Sequence, residues 1–89
     1  MKSLKLVKYG HEYCSPCKAL KPILEELKNI FSEKVEFEEK DTYSISMEQV
    51  IEAGIKAVPT MILFKDGVEI WRNVGFMSKE SLKTVLENN

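Results

Sequence analysis

Both cysteines of this 89-residue chain, Cys14 and Cys17, lie three positions apart, and that spacing limits what can hold a fold together. A small secreted domain stapled by disulfides spreads several cysteines along its length. A bridge across so short a loop removes little entropy from the unfolded chain. The fold must therefore rest on an apolar core, and 89 residues are enough for one domain, spanning 1–89. Two roles remain for the pair, a redox couple or half of a metal site. Structural zinc wants four Cys or His ligands, and His11 is the one other candidate in the chain. Redox chemistry is favoured, with no metal and no cofactor expected.

Composition closes off other classes. With 44% hydrophobic and 30% charged residues, the chain has the balance of an ordinary globular domain rather than a disordered tail. A net charge of −1, with lysines and arginines dispersed, gives no reason to expect nucleic acid or an anionic membrane as partner. Lys2, Lys5 and Lys8 interrupt the apolar stretch a secretory signal needs, and no segment suits a bilayer crossing. The expected location is the cytoplasm.

Hydrophobic periodicity then orders the elements. Leu4 to Tyr9 reads as a strand ending at Gly10. From Cys17 to about Phe31, the residues Leu20, Ile23, Leu24, Leu27, Ile30 and Phe31 recur at helical spacing, with Pro22 inside the helix as an expected kink. Val35 to Glu39 alternates apolar and charged residues, which suits an edge strand. Ser46 and Gln49 form a capping-box signature ahead of a short helix with Met47, Val50 and Ile51 on one face, closed by Gly54. Thr60 to Phe64 is an uncharged strand, Asp66-Gly67 signals a hairpin, and Val68 to Val74 returns antiparallel. Ser78 can cap a last helix that turns Leu82, Val85 and Leu86 inward. The order β-α-β-α-β-β-α is α/β, with parallel strands joined by right-handed helical crossovers and a closing hairpin.

The chemistry sits where the first strand's loop meets the first helix. A thiolate in Cys14-Ser15-Pro16-Cys17 is stabilised there by unpaired N–H groups and the positive end of the helix dipole. That lowers the thiol pKa and raises the thiolate fraction near neutral pH. Pro16 suits the opening turn, where its missing donor would have no partner. The spacing lets both sulfurs meet on one helical turn, the first cysteine exposed and the second sheltered.

With these residues in view, the chain resembles the thioredoxin family. The strand–Cys-x-Pro-Cys–helix element is similar to that family's active site, and Pro22 matches its helix-kinking proline. The run from Gly54 through Ala57-Val58-Pro59-Thr60 to Gly67 is similar to the segment around the family's cis-proline, and Val74-Gly75-Phe76 continues the match. The resemblance implies a minimal thioredoxin-like fold: a four-stranded mixed sheet with helices on both faces. It implies that Cys14 attacks a substrate disulfide and Cys17 resolves the mixed disulfide. It also implies a cis Pro59, with Val58 and Thr60 offering backbone groups to a bound peptide strand, and a groove kept open by Gly75. Tyr13, Ser15 and Pro16 complete the implied substrate-binding surface. The implied partners are disulfide-containing proteins and, as electron donor, a thioredoxin reductase or a dedicated reductase; the expected state is a monomer.

Three departures from the family pattern stand out. Tyr13 replaces the usual tryptophan before the first cysteine, and Ser15 the usual glycine within the motif. The family's buried acid, six residues before the first cysteine, is here Lys8. Matching the second strand to the family places Glu39 where a lysine often pairs with that acid, which predicts a charge-swapped pair of Lys8 with Glu39. A gap-free count back from Pro59 puts Lys40 there instead, leaving Lys8 to snorkel and Glu39 exposed. His11 is a third tuning candidate, since an imidazolium near Cys14 favours thiolate; as an ordinary loop residue it would face solvent. Trp71 is assigned to packing.

The resulting function is reduction of protein disulfides by dithiol exchange. A glutaredoxin-type, glutathione-dependent transferase is the nearest rival, but neither Cys-Pro-Tyr-Cys nor a Gly-Gly-Asp element is evident. A non-catalytic partner-binding module on the same fold is the other alternative. Thioredoxins typically begin with an extra strand and helix, for which no room is expected before Leu4; Val35–Glu39 is then expected at the sheet edge.

Overall fold

The computed structural model describes residues 2–89; Met1, where the expected domain begins, lies outside them. Seven elements follow in the expected order: β1 (Leu4–Gly10), α1 (Ser15–Ile30), β2 (Val35–Asp41), α2 (Met47–Glu52), β3 (Thr60–Lys65), β4 (Val68–Val74) and α3 (Lys79–Glu87). The sheet runs β2-β1-β3-β4, so the alternating strand β2 is at one edge.

β1 and β2 are parallel, but β3 is antiparallel to β1, with Tyr9 opposite Thr60 and Leu4 opposite Lys65. The second connection is therefore not the parallel crossover expected. Helix length explains this. Six residues of α2 span about 9 Å, whereas a seven-residue strand runs about 23 Å. The segment crosses one end of the sheet and enters β3 beside the end of β1.

Alternation along β1 divides the interior. Leu4 and Leu6 join Leu20, Leu24 and Leu27 of α1, Met61 and Leu63 of β3, and Leu82 and Leu86 of α3 in one cluster. Val7 and Tyr9 point the other way, with Ile55 and Ile62, and take Val50 and Ala53 from the α2 side. Helices thus cover both faces, and Lys8 continues the Leu4–Leu6 side toward α1. Three apolar residues expected inside are outside. Met47 and Ile51 are one turn apart on the outer side of α2, leaving Val50 to pack, and Ile30 ends α1 more than half exposed.

On the opposite side of the edge strand, Lys5 pairs with Glu38 at 2.7 Å. That hydrogen bond from Lys5 holds the Glu38 carboxyl below its ordinary range, with the charges of Lys5 and Lys40 adding to it against partial desolvation. A charged edge of this kind discourages pairing with another chain.

Candidate active site

The end of β1 and the start of α1 bring the two sulfurs together. Cys14 and Cys17 form a disulfide, with Cα atoms 5.2 Å apart. Cys14 is the N-cap of α1, and its Sγ accepts the Cys17 N–H at 3.2 Å. A donor left orphaned by the helix start is thus aimed at the first sulfur. Ser15 and Pro16 fill the opening positions and are exposed. Cys17 is 2% exposed, and Cys14 is also covered, at 7%, rather than open as expected. Its sulfur is turned back onto the first helical turn, toward its disulfide partner and the Cys17 N–H.

The Val58–Pro59 peptide bond is cis. Pro59 is buried, Val58 precedes β3, and Thr60 donates its hydroxyl to the Ala57 carbonyl at 2.7 Å. Gly75 adopts φ 97°, a conformation open to glycine, and donates its N–H to the Pro59 carbonyl at 2.8 Å. That bond ties the loop after β4 to the proline.

The three tuning candidates occupy two sites. Lys8 is 8% exposed; its Nζ lies 3.0 Å from Glu39 Oε1 and donates to the Cys17 carbonyl at 3.4 Å. Lys40 pairs instead with Glu38. His11 stacks on Tyr43 with ring centroids 4.6 Å apart, and its Nδ1 accepts the Tyr13 N–H at 3.2 Å. Tyr13 and Tyr43 are strongly exposed and 6.1 Å apart, so three rings stand together ahead of Cys14.

Two residues near the site escaped the sequence reading. Tyr43 is separated from Cys14 by the whole of α1 and β2, and no local signal ties it to His11. Gly10 reads as a strand terminator, but a Cβ built there would meet Cys17 Sγ at 2.8 Å. Beside it lies a cleft of about 320 Å³ whose lining includes Lys8, Gly10, His11, Cys17, Lys18 and Glu39. Among the described residues no group of three His, Cys, Asp or Glu side chains is placed to hold a metal, and no helix is long and apolar enough to cross a membrane.

A Cys-x-x-Cys disulfide at a helix start, laid on a mixed sheet beside a proline loop, defines a thiol–disulfide oxidoreductase. A family model described as Thioredoxin matches residues 1–88. The thioredoxin of Chlamydia caviae is 40% identical over 83 residues, covering 89% of this chain and 76% of its own length. That of Staphylococcus haemolyticus is 34% identical over 86 residues, covering 97% and 82% respectively. Among solved structures, the oxidised thioredoxin from Plasmodium falciparum matches with a TM-score of 0.84 at 28% identity, over 98% of this chain and 81% of that one. The chain belongs to the thioredoxin family and acts as a protein-disulfide oxidoreductase.

Proposed function

We propose that this chain runs in the reducing direction, as a cytoplasmic monomer comprising one redox domain over residues 1–89. Cys14 is the attacking thiolate and Cys17 the resolving thiol. The supporting observation is the Cys17 N–H aimed at Cys14 Sγ at 3.2 Å from the first turn of α1. The same donor and the helix dipole stabilise a Cys14 thiolate when the pair is reduced. That thiolate attacks one sulfur of a substrate disulfide, forming a mixed disulfide and releasing the other substrate sulfur as thiolate. Cys17 then loses its proton and attacks Cys14 Sγ. The Cys14–Cys17 bond forms, the second substrate thiolate leaves, and two electrons have passed to the substrate.

The substrate strand lies against Tyr13, Ser15 and Pro16 on one side and Val58, Pro59, Thr60 and Gly75 on the other. Exposed Ser15 and Pro16 leave the approach to Cys14 uncluttered, and the Gly75–Pro59 hydrogen bond sets the far wall. His11 orients Tyr13 through the N–H it accepts. Thioredoxins act on disulfide substrates and are reduced by a reductase; here a thioredoxin reductase or a dedicated reductase restores the dithiol.

Reduction of a protein disulfide, followed as thiol release, tests the assignment. Wild type should turn over, Cys14→Ser should fall to background, and Cys17→Ser should accumulate mixed disulfides. Equal rates for wild type and Cys14→Ser would remove Cys14 from the reaction.

A further inference from the structure

We propose that Lys8 and Glu39 are opposed positioning residues for Cys17: the buried Lys8 ammonium favours the Cys17 thiolate, and the Glu39 carboxylate at the cleft rim weakens that effect. The proposal rests on Cys17 being the resolving thiol. A lysine 8% exposed has lost most of its water, and a buried ammonium persists only where other groups replace that water. Lys8 has two such groups, Glu39 Oε1 at 3.0 Å and the Cys17 carbonyl at 3.4 Å. The pair is lopsided: the Lys8 side chain is 10% exposed and that of Glu39 is 49% exposed. Water screens the carboxylate far more than the ammonium.

Gly10 leaves a space with no side chain beside both the Lys8 stem and the Cys17 sulfur. A Cβ at Gly10 would meet Cys17 Sγ at 2.8 Å and Lys8 Cε at 3.8 Å, so the sulfur and the lysine stem flank one gap holding no side chain. The gap opens into the cleft, whose other charged or titratable groups are His11 and Glu12 from the loop, Lys18 and Lys21 from α1, and Lys40 and Asp41 from β2. Glu12, Lys18, Lys21 and Asp41 are exposed, and His11 and Lys40 are partly so, leaving Lys8 as the one buried charge of the lining. An opposite charge within about 4–6 Å of an ionising group favours its charged form. During resolution the Cys17 thiol gives its proton to water in the cleft, and the thiolate left behind attacks Cys14 Sγ. The ammonium stabilises that thiolate directly, where a buried carboxylate would instead have accepted the proton.

The test is titration of Cys17 alone, in a Cys14→Ser background, by thiolate absorbance or pH-dependent alkylation. Adding Lys8→Met should raise the midpoint by about one pH unit. Glu39→Gln should lower it, and Lys8→Arg should keep it near the parent value. Opposite signs at the two partners distinguish charge from packing, since a purely structural pair would move both variants the same way or neither. A static midpoint in Lys8→Met or Glu39→Gln overturns the proposal, as do same-direction shifts or a Lys8→Arg variant that behaves like Lys8→Met. Disulfide reduction by wild type is scored separately, so its absence would strike the reductase assignment and leave the titration result standing.

Discussion

At the scale of single residues, the position most tightly set by the redox pair is Gly10, which carries no chemistry of its own. Its missing side chain leaves room for Cys17 Sγ, which a Cβ would meet at 2.8 Å. In the oxidised protein that sulfur is tied to Cys14 and cannot swing away. In the reduced protein that bond no longer holds the sulfur in place. Gly10→Ala should therefore destabilise the oxidised form by about 1–3 kcal/mol, the usual cost of overpacking, and the reduced form by less. Denaturant unfolding of both redox states checks this, and equal losses would show that the strand, not the sulfur, absorbs the extra methyl. This constraint is not legible in the sequence, because a glycine at a strand end has a sufficient local explanation. Lys8 was more legible. A lysine where the family carries an acid leaves two readings open, pairing with Glu39 or snorkelling beside Lys40, and the parallel register sets Glu39 opposite it. The charge swap was readable because both ends sit on strands, where position fixes direction.

At the scale of elements, α1 carries the reactive sulfur as part of its own cap. Cys14 supplies the acceptor that Ser, Thr, Asp or Asn usually provides at an N-cap. Serine at position 14 should keep that acceptor and alanine should not. Neither variant can form the disulfide, so their difference isolates the cap. Cys14→Ser should be more stable than Cys14→Ala by about 1 kcal/mol in equilibrium unfolding; equal stabilities would mean a side-chain acceptor at position 14 contributes nothing to starting the helix. The elements themselves were legible wherever periodicity ran long. The apolar stripe of α1 put Leu20, Leu24 and Leu27 inside, and all three are buried. Over six residues the stripe of α2 leaves the inward side undecided: the pattern groups Met47 and Ile51 with Val50, but both stand outside. The third strand's direction was missed for a related reason: orientation depends on how far a connection can carry the chain, and a pattern of apolar residues does not measure that.

At the scale of the whole molecule, the two faces of the sheet are unequally anchored. The α1–α3 side gathers buried residues from every strand but β4, whereas the opposite cluster has four buried residues and none of them from α2. α2 is held mainly at its ends. Ser46 and Gln49 close a reciprocal capping box at its start. At its far end Arg72 donates to the Ala53 carbonyl at 2.8 Å and the Gly54 carbonyl at 3.2 Å. Exposed hydrogen bonds over a thin apolar floor are the mark of a segment that opens without global unfolding. Amides of α2 should therefore exchange with solvent at an opening free energy well below that of β1 and β3, whose central amides should exchange only on global unfolding. Removing the clamp by Arg72→Ala should lower the α2 opening energy by about 1 kcal/mol while leaving the β1 and β3 amides nearly unchanged. Native-state hydrogen exchange across a denaturant series reads both quantities. Protection of α2 equal to that of β1 would show the two faces to be one cooperative unit. The expected asymmetry separates the segment that opens from the two sulfurs. Tyr43 and the segment leading into Pro59 flank α2 in sequence, while Cys14 and Cys17 are carried by the helix packed into the larger cluster. The sulfurs should then keep their geometry while α2 and the segments flanking it open.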